Sequence, residues 1–450
     1  MTVATQQELV ERIWERDATV WTGADEDKWL GWLDEPRRMQ ERVHEIVDFA
    51  RDARSRFDTF VLLGMGGSSL APEVLRRTFG IKTLHVLDTT HPGMIRHAEQ
   101  TLDLEKTMFV VSSKSGTTLE TLSHFEYFWA KAGDGERFVA ITDPGSALEQ
   151  LAHERRMRVF AGEPTIGGRY SALSPFGIVP AALMGIDVER LLSNGERMAE
   201  ACRGDANPGL QLGLRLGERW HEGRDKVCVE ETEGRFGLWA EQLIAESTGK
   251  QGKGLVPAPG ESPEGPDRQA AKPELADPHS VGGEFFRWEF AVAVAGAILQ
   301  INPFDQPDVQ AAKDATKQVL ASGEDPRLEP EGSVEEVLEG AEPPHYVAIQ
   351  AFIDPRREHE LQPLVDRAHA TRCVVTRGLG PRYLHSTGQL HKGGPPTGLF
   401  VQVVDDTGDE LSIPGQDFGF GRLIRAQAEG DFRSLRERGR SVIRLRLEDL

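Results

Sequence analysis

This chain of 450 residues is short of cysteine, of basic charge and of long apolar runs. Its three cysteines, Cys202, Cys228 and Cys373, are far apart and form no CxxC or metal-binding pattern, so we expect reduced thiols in a core. No apolar run approaches the ~20 residues that cross a bilayer, and the charged N-terminus lacks the apolar core of a secretory signal. These absences predict a cytoplasmic protein with no membrane partner and no structural metal.

The charge balance narrows the class of partner. The chain has 52 lysine and arginine residues against 72 aspartate and glutamate residues, a formal net charge of −20. This charge argues against nucleic acid and anionic membranes as partners, because the long-range field repels them. An anionic small molecule stays compatible where local donors hold it. With 39% hydrophobic and 28% charged residues, the composition is typical of a globular protein of two or three domains.

The most informative stretch is 58–70, which reads Asp-Thr-Phe-Val-Leu-Leu-Gly-Met-Gly-Gly-Ser-Ser-Leu. An apolar run stops at three glycines within four residues, and two serines then open a helical pattern. A buried strand, a glycine turn and a helix start leave backbone N–H groups aimed at one point, which favours an anion. The spacing Gly64-x-Gly66-x-x-Ser69, with Asp88 after the next apolar run, also resembles a dinucleotide fingerprint, but the third glycine is missing.

A second polar loop follows the apolar run at 107–112. Phe109-Val110-Val111 leads into Ser-Ser-Lys-Ser-Gly-Thr-Thr-Leu-Glu-Thr at 112–121. Hydroxyls and a lysine at a strand end, just before a helix, suit a terminal phosphate held by O–H, N–H and ammonium donors. A dinucleotide needs no second phosphate-binding loop of this kind. The loop therefore favours a phosphate site over an NAD site, and the remaining alternative is a merely polar connection.

Strand and helix patterns alternate through the first part of the chain. Apolar runs of strand length lie at 58–63, 82–88, 107–112, 136–142 and 157–160, with helical patterns between them at 70–79, 92–101, 118–132 and 146–155. This rhythm predicts βαβ units, a parallel sheet with helices on both faces, and a ligand site at the C-terminal ends of the strands. A second αβ pattern starts near Val227, and runs at 346–353, 372–376, 398–404 and 442–446 are expected to extend its sheet.

Changes in pattern predict the domain limits. We expect an N-terminal helical segment at 1–57, a first α/β domain at 58–187, connecting helices at 188–224 and a second α/β domain at 225–450. The tryptophans of the first segment are expected to anchor its helices against a neighbouring domain. Residues 257–278 carry six prolines, many charges and no periodicity, which predicts a mobile connector.

Three further stretches carry reactive side chains. In the Gly-Arg pair at 168–169 the glycine allows close backbone approach and the guanidinium offers planar donors, although the arginine could equally form a surface salt bridge. Gln242 and Glu246 are four residues apart and share one face of a predicted helix, the alternative being a solvated helix end. Lys313 lies on a helix that begins near Pro307, where an isolated lysine is usually a surface residue.

Together these stretches resemble the phosphoglucose isomerase family, in segments that cover nearly the whole chain. The family motifs correspond to Gly67-Ser68, to Ser113–Thr118, to Gly-Gly-Arg-Tyr-Ser at 167–171, to Glu246–Lys250 and to Phe304–Lys313. The resemblance is closer to the isomerase half of transaldolase–phosphoglucose isomerase fusions, whose transaldolase portion has no counterpart in this sequence. It implies two doubly wound parallel-sheet αβα sandwich domains of the sugar-isomerase (SIS) type, with extra helices.

The resemblance also implies an activity and the residues that perform it. It implies an aldose–ketose isomerase that interconverts glucose 6-phosphate and fructose 6-phosphate through a cis-enediol(ate), as a homodimer, without a metal or other cofactor. Glu246 would be the base and Arg169 the enediolate stabiliser, while Lys313 and a histidine would open the sugar ring. The phosphate would be held by Gly67, Ser68, Ser113, Lys114, Ser115, Thr117, Thr118, Gln242 and Gln306.

The ring-opening histidine is where the chain departs from the family order, in which it precedes the lysine motif. His279, the nearest candidate there, sits in a proline-flanked turn. We predict His391, because a histidine, a Gly/Pro loop and the apolar run at 399–404 are similar to the histidine segment of bacterial members. His385 is the second choice, since Ser-Thr-Gly follows it. A third interpretation makes both histidines polar loop residues.

Two other classes of function stay open. One is a catalytically weak or inactive sugar-phosphate-binding regulator with the same fold, against which the presence of both Glu246 and Lys313 argues, because a binder needs neither a base nor a ring opener. The other is an NAD-dependent enzyme, which the hydroxyl-rich loop disfavours. A nucleotide titration would distinguish the second from an isomerase.

Overall fold

The structure is a computed structural model that describes residues 3–323, 325–405 and 408–450. Its first α/β unit contains strands β1 Thr59–Gly64, β2 Leu84–Leu87, β3 Thr107–Ser112, β4 Phe138–Thr142 and β5 Arg158–Ala161. The helices up to this point are α1 Val3–Trp14, α2 Glu35–Arg56, α3 Leu70–Thr78, α4 Pro92–Thr101, α5 Leu119–Ala132 and α6 Ala147–Glu154. The strands form one parallel sheet in the order β2-β1-β3-β4-β5.

The register of this sheet places the two polar loops side by side. Strand β1 pairs with β3 so that Leu63 lies opposite Val111 and Gly64 opposite Ser112. Both strands are almost wholly buried, as expected for central strands that are covered by helices on both faces. The predicted strands and helices of this unit are confirmed to within two residues at each end. The glycine loop after β1 and the hydroxyl loop after β3 therefore leave the sheet at the same edge.

A helical layer lies between the first unit and the rest of the chain. It comprises α7 Pro175–Leu183, α8 Val188–Ala201, α9 Pro208–His221, α10 Gly237–Thr248 and α11 Val281–Leu299. Helix α11 is mostly apolar and is buried along nearly its whole length, which is typical of a central core helix, and its buried Arg287 pairs with Glu284. Trp14 and Trp21 donate their indole N–H groups to the carbonyls of Cys202 and Ala293 at 3.0 and 2.8 Å. The predicted anchoring role of these tryptophans is confirmed.

The remaining strands form two parallel sheets rather than the single extended sheet that the sequence predicted. Strands β6 Lys226–Val229, β7 Val256–Pro257 and β8 Arg268–Ala271 pair in the order β7-β6-β8. Strands β9 Tyr346–Phe352, β10 Val374–Leu379, β11 Gly398–Val404 and β12 Ser441–Arg446 pair in the order β10-β9-β11-β12. The two sheets meet through side chains such as Cys228, Val256, Tyr346 and Phe400. The mixed α/β class with parallel sheets is confirmed.

Strand β8 lies inside the stretch 257–278, which the sequence analysis assigned to a connector. Its residues Arg268 and Gln269 are buried, although both are polar. Gln269 donates to the carbonyls of Leu216 and Arg224, and Arg268 donates to the carbonyls of Ser262 and Arg372. A hydrophobicity pattern does not detect this strand, because its first two residues are polar and the surrounding stretch is rich in charges and prolines.

The last helices connect the two halves of the molecule. They are α12 Val309–Ala321, α13 Val334–Leu338, α14 Gln362–His369, α15 Gly388–Gly393 and α16 Phe420–Glu437. Helix α16 packs on α12, and its Phe420 and Leu423 enter the hydrophobic core formed by Phe109 and Phe128 of the first unit. The predicted domain limits at 57, 187 and 224 stay predictions. Among the described residues, no helix combines the length and apolar character that crossing a membrane requires.

Candidate active site

The C-terminal edge of the first sheet opens into a cavity of about 370 Å³. Its walls are the loops after β1 and β3, the Gly-Gly-Arg turn at 167–169, helix α10, the beginning of α12 and the segment before α15. The predicted site residues that line it are Gly67, Ser68, Lys114, Ser115, Thr118, Arg169, Gln242, Glu246, Gln306, Lys313 and His385. Of the described residues predicted for the site, Ser113, Thr117 and His391 lie outside this lining.

Two glycine turns touch each other at one wall of the cavity. A Cβ on Gly67 would lie 2.0 Å from the carbonyl oxygen of Gly168, so this contact requires glycine. Gly66 has φ +54°, and a Cβ there would lie 2.5 Å from the carbonyl oxygen of His385. These close approaches bring Ser68 and Arg169, which follow the two turns, to the same cavity.

The hydroxyl loop after β3 presents donors to the cavity. Ser113 Oγ donates to Thr118 Oγ1 at 2.9 Å, so the Thr118 hydroxyl keeps its own proton for a ligand. The Ser115 and Thr117 hydroxyls lie 3.1 Å apart. Thr117 lines a neighbouring chamber of about 170 Å³, whose lining shares Thr118 with the main cavity. Ser113 thus orients Thr118 from behind, and Ser115 and Thr118 face the cavity directly.

Lys114 is held by groups of the protein. Its Nζ lies 2.8 and 2.6 Å from the two carboxylate oxygens of Asp143 and 2.7 Å from the Glu163 carbonyl oxygen. Burial lowers the pKa of Lys114, and the charge of Asp143 opposes that shift. The Lys114–Asp143 pair is close to neutral, so Lys114 contributes less net positive charge to the cavity than a free lysine would.

Arg169 is the most heavily bonded side chain of the site and is 1% exposed. Its guanidinium spans α10 and the segment that leads into α12, which fixes these two elements relative to each other. Its contacts are Ser247 Oγ at 2.8 Å, Gln306 Oε1 at 2.7 Å, the carbonyls of Pro303 and Asp305 at 2.7 and 2.9 Å, and Glu246 Oε2 at 3.4 Å. A planar guanidinium can serve all of these acceptors at once, whereas a lysine cannot.

Glu246 and Gln242 lie on one face of α10, as their spacing predicted, and both are buried. Gln242 Nε2 donates to Glu246 Oε2 at 3.2 Å and to the His385 carbonyl oxygen at 2.9 Å. Burial raises the pKa of Glu246, and Arg169 together with the hydrogen bond from Gln242 opposes that rise. The site therefore holds a carboxylate whose basicity is greater than that of an exposed glutamate.

The segment before α12 is held by a second buried cation. Lys250 donates to the carbonyls of Asn302 and Asp305 at 2.7 and 2.6 Å and contacts Asp305 Oδ1 at 2.6 Å. Burial lowers the pKa of Lys250 to about 8, with a further contribution from Arg169. Lys250 and Arg169 thus fix the segment that carries Gln306 to the cavity, and Lys313 follows on α12 with an exposed side chain.

His385 is paired with a buried carboxylate. Its Nε2 lies 2.8 Å from Glu120 Oε1, and its Nδ1 forms no hydrogen bond with a described residue. Burial would raise the pKa of Glu120, but His385 and, more weakly, Lys313 lower it to about 2. His385 lines both the main cavity and the neighbouring chamber. The ring is therefore positioned to exchange a proton with a ligand.

The structure does not bring His391, the first choice for ring opening, to this cavity. Its ring is 4% exposed, lies 5.9 and 5.2 Å from the rings of Tyr383 and Phe400, and has Nδ1 2.9 Å from Gln350 Nε2. Burial lowers the pKa of His391 well below its ordinary value. This corrects the expectation from sequence: helix α15 turns His391 into the core, and His385, before that helix, faces the site.

Glu120, Ser247 and Lys250 belong to the site, although no role was predicted for them from the sequence. Glu120 lies in the quoted hydroxyl motif, but an acid in the first turn of a helix usually only complements the helix dipole. The dinucleotide-like spacing made Asp88 a candidate for the acid that binds a ribose. Its side chain lies 3.7 Å from Arg382 and is not part of the described lining of the cavity. The site therefore has a base, cations and hydroxyl donors, without the acid that a dinucleotide ribose would contact.

The raised pKa of Glu246 predicts a pH dependence. An acid whose pKa is raised holds its proton to a higher pH, so a base at this position is active above that pKa and is lost as the pH falls through it. The acidic limb of kcat/KM should therefore lie above pH 4.5, the ordinary value for glutamate. A pH profile of the sugar-phosphate isomerisation that the sequence predicts would measure it. Activity that stays level down to pH 4.5 would contradict this assignment.

The fold is a mixed α/β architecture with parallel sheets, and it resembles that of solved proteins. A hypothetical protein, TT0462, from Thermus thermophilus aligns with 98% of this chain and 83% of its own at TM-score 0.51 and 22% identity. A glucose-6-phosphate isomerase from Chlamydia trachomatis aligns with 71% of this chain and 85% of its own at TM-score 0.59 and 19% identity. At these identities the likeness concerns the fold.

Residues 32–207 match the family model described as phosphoglucose isomerase, so the resemblance to that family is confirmed. Proteins named glucose-6-phosphate isomerase from Carboxydothermus hydrogenoformans and Thermus thermophilus are 34% and 35% identical over 49% of this chain and 53% and 56% of their own. The chain spans about half the length of these relatives. A Synechococcus protein of the same name is 28% identical over 66% of this chain and 76% of its own. The closer likeness to fusion enzymes stays a prediction.

Proposed function

We propose that this protein is an aldose–ketose isomerase that interconverts glucose 6-phosphate and fructose 6-phosphate. The observation that carries the proposal is the Glu246 carboxylate, which lies 3.4 Å from Arg169 Nη1 in a cavity that is also lined by the hydroxyls of Ser68, Ser115 and Thr118. A base beside a cation, within one small cavity of phosphate-type donors, is the arrangement that proton transfer next to a sugar carbonyl needs. The names of the relatives support the same substrate pair.

Glu246 is the proposed base. It takes the proton from C2 of the open-chain aldose, the C1–C2 enediol(ate) forms, and the same carboxyl group returns a proton to C1 to give the ketose. Arg169 lowers the cost of ionising Glu246 and stabilises the negative charge that develops on the enediolate oxygens. Because α10 and Arg169 are fixed by buried hydrogen bonds, little reorganisation accompanies the step.

His385 and Lys313 are the proposed ring-opening pair. His385 Nδ1 takes the proton of the anomeric hydroxyl as the C1–O5 bond breaks. O5 takes a proton from the Lys313 ammonium group, which leaves a neutral amine. Glu120 stabilises the imidazolium that forms on His385. This pairing is supported by the position of the two side chains, which both line the same cavity. His391 has no part in it.

The phosphate is assigned to the loops after β1 and β3. Ser68, Ser115 and Thr118 offer hydroxyls from the lining, to which Gln242 and Gln306 also belong. Ser113 acts through Thr118. Lys114 contributes through its field, since Asp143 already holds its ammonium group. Thr117 faces the neighbouring chamber. A homodimer, which the family resemblance implies, and a cytoplasmic location, which the cysteine pattern and the lack of a secretory signal suggest, stay predictions.

A coupled assay tests the proposed function. Fructose 6-phosphate is supplied, and the glucose 6-phosphate formed is oxidised by an added dehydrogenase, whose NADPH is measured. We expect turnover within the usual enzymatic range of about 1–10³ s⁻¹. Binding of sugar phosphate without turnover would instead identify an inactive sugar-phosphate-binding protein.

Removing cavity hydroxyls should mainly weaken substrate binding. Ser68→Ala and Thr118→Val each delete a donor that serves the ground state and the transition state alike, so KM should rise with little change in kcat. Inorganic phosphate should compete with the sugar phosphate. By mass action it should also raise Tm, because a hundredfold excess over Kd adds ~2.7 kcal/mol to the free energy of unfolding. Ser55→Ala, on α2, is the matched control and should leave KM unchanged. A Tm that ignores millimolar phosphate would refute the phosphate site.

A further inference from the structure

The carboxylate that holds His385 has a second partner on a distant helix. Glu120 Oε1 lies 2.8 Å from His385 Nε2 and 2.7 Å from Gln427 Nε2. Gln427 belongs to α16 and is 2% exposed. Its amide oxygen is 2.7 Å from the hydroxyl of Thr90, which is 0% exposed and follows β2. Helix α16 thus contacts the Glu120–His385 pair directly, and the loop after β2 is linked to it through Gln427.

The donors and acceptors in this hydrogen-bond network, which links His385, Glu120, Gln427 and Thr90, can be arranged in only one way. Glu120 is ionised, because its pKa is lowered to about 2, so its oxygens only accept hydrogen bonds. Gln427 must therefore turn its NH₂ group to Glu120 and its carbonyl oxygen to Thr90, whose hydroxyl donates. Because Glu120 cannot donate, His385 must carry a proton on Nε2. In the neutral ring, Nδ1 is then the unprotonated nitrogen.

The surroundings hold this arrangement in place. His124 lies one turn after Glu120 on α5, and its Nε2 is 2.9 Å from the Thr89 carbonyl oxygen. Helix α5 is therefore also hydrogen-bonded to the loop that carries Thr90. Burial lowers the pKa of His124 to about 4, which leaves it neutral at physiological pH. Buried and satisfied on both sides, the Gln427 amide cannot rotate without leaving two groups unpaired.

We propose that Gln427 is a positioning residue for ring opening: it holds Glu120 so that His385 keeps its proton on Nε2 and presents an unprotonated Nδ1 to the sugar. The proposal rests on the proposed isomerase function. It means that α16 determines which nitrogen of His385 acts as the base, although Gln427 belongs to the wall of the neighbouring chamber and is not part of the described lining of the main cavity.

Kinetics on two substrates test this role. Gln427→Leu should lower kcat for the closed sugar by ~10–100-fold, the range seen when the orienting partner of a metal-bound histidine is removed. C2-proton exchange from an open-chain analogue that cannot close a ring should change much less, and competition by inorganic phosphate should persist. Thr90→Val, which only unpairs the Gln427 carbonyl, should give a smaller loss and add little to the loss in Gln427→Leu.

A matched variant separates positioning from stability. Gln402 is also buried, donates to the carbonyl of Ala428 on α16 and accepts from Arg444, but lines neither chamber. Gln402→Leu should lower Tm without changing the ratio of closed-sugar to open-chain rates. A folded Gln427→Leu enzyme with wild-type kinetics, or with equal losses on both substrates, would overturn the proposal.

Nitrogen-15 NMR of the wild-type protein tests the proton position directly. His385 should show the Nε2–H tautomer, and Thr90→Val or Gln427→Leu should weaken that preference. Wild-type protein with the proton on Nδ1 would overturn the proposal even if both variants fail to fold. If wild-type protein binds sugar phosphate but does not isomerise it, the proposed function fails, while the tautomer measurement still decides whether Gln427 orders the histidine.

Discussion

Replacing Glu246 by glutamine is expected to abolish most turnover while leaving the cavity intact. The amide keeps the shape and the contact with Gln242 but cannot accept the C2 proton, so kcat should fall by the ~10²–10⁴-fold typical of a lost general base. Binding of a competitive sugar-acid phosphate should stay near the wild-type value, because the phosphate donors are untouched. The coupled assay and a titration calorimeter measure the two quantities.

Glu241 supplies the matched control for this experiment. It precedes Gln242 on α10, but it lines a different cavity, with Arg235 and Arg382. Burial raises its pKa to about 7, so it is another glutamate with an altered pKa on the same helix. Glu241→Gln should keep wild-type turnover. Full activity in Glu246→Gln, or equal losses in both variants, would rule out Glu246 as the base.

Replacing His385 by alanine is expected to have the second large effect, and one that depends on the form of the substrate. Without an acid/base at the anomeric hydroxyl, turnover of the closed sugar should fall by ~10²-fold or more. An open-chain analogue bypasses that step, so C2-proton exchange measured by solvent deuterium should be slowed far less. Equal losses on both substrates would assign His385 to structure instead.

His391→Ala is the informative comparison, because the sequence pointed to this residue first. A buried ring packed near Tyr383 and Phe400 should cost about 2–5 kcal/mol of unfolding free energy when truncated, without selectivity between closed and open-chain sugars. Tm and the two rates report these outcomes. A selective loss on the closed sugar in this variant, with none in His385→Ala, would restore the original prediction.

The first α/β unit and its loops were predictable because each signal was local. Apolar runs of strand length alternate with amphipathic helices, and β1 and β3 end in glycine and hydroxyl clusters. Parallel strands that end at one edge bring their C-terminal loops together whatever the rest of the chain does. The spacing of Gln242 and Glu246 likewise determined a shared helix face.

The second half of the chain was less predictable, because its elements are defined by partners. Strand β8 begins with two polar residues, Arg268 and Gln269, which are buried and donate to carbonyls from elsewhere in the fold. The division of the later strands into two sheets depends on how side chains such as Tyr346 and Phe400 pack against Cys228. No periodicity within either segment contains this information.

By itself, the sequence determined the α/β class, the two polar loops at the strand ends and the shared helix face of Gln242 and Glu246, since these follow from backbone period and local residue type. Only the tertiary structure decided which histidine reaches the cavity, that Lys114 is already paired with Asp143, and that Glu120 and Gln427 stand behind His385. The physical reason is the separation along the chain between the residues that interact. A helix face or a strand end is set within a few residues, whereas Glu120 and Gln427 meet across 307 positions of chain, and only the packing of α16 against the first unit joins them.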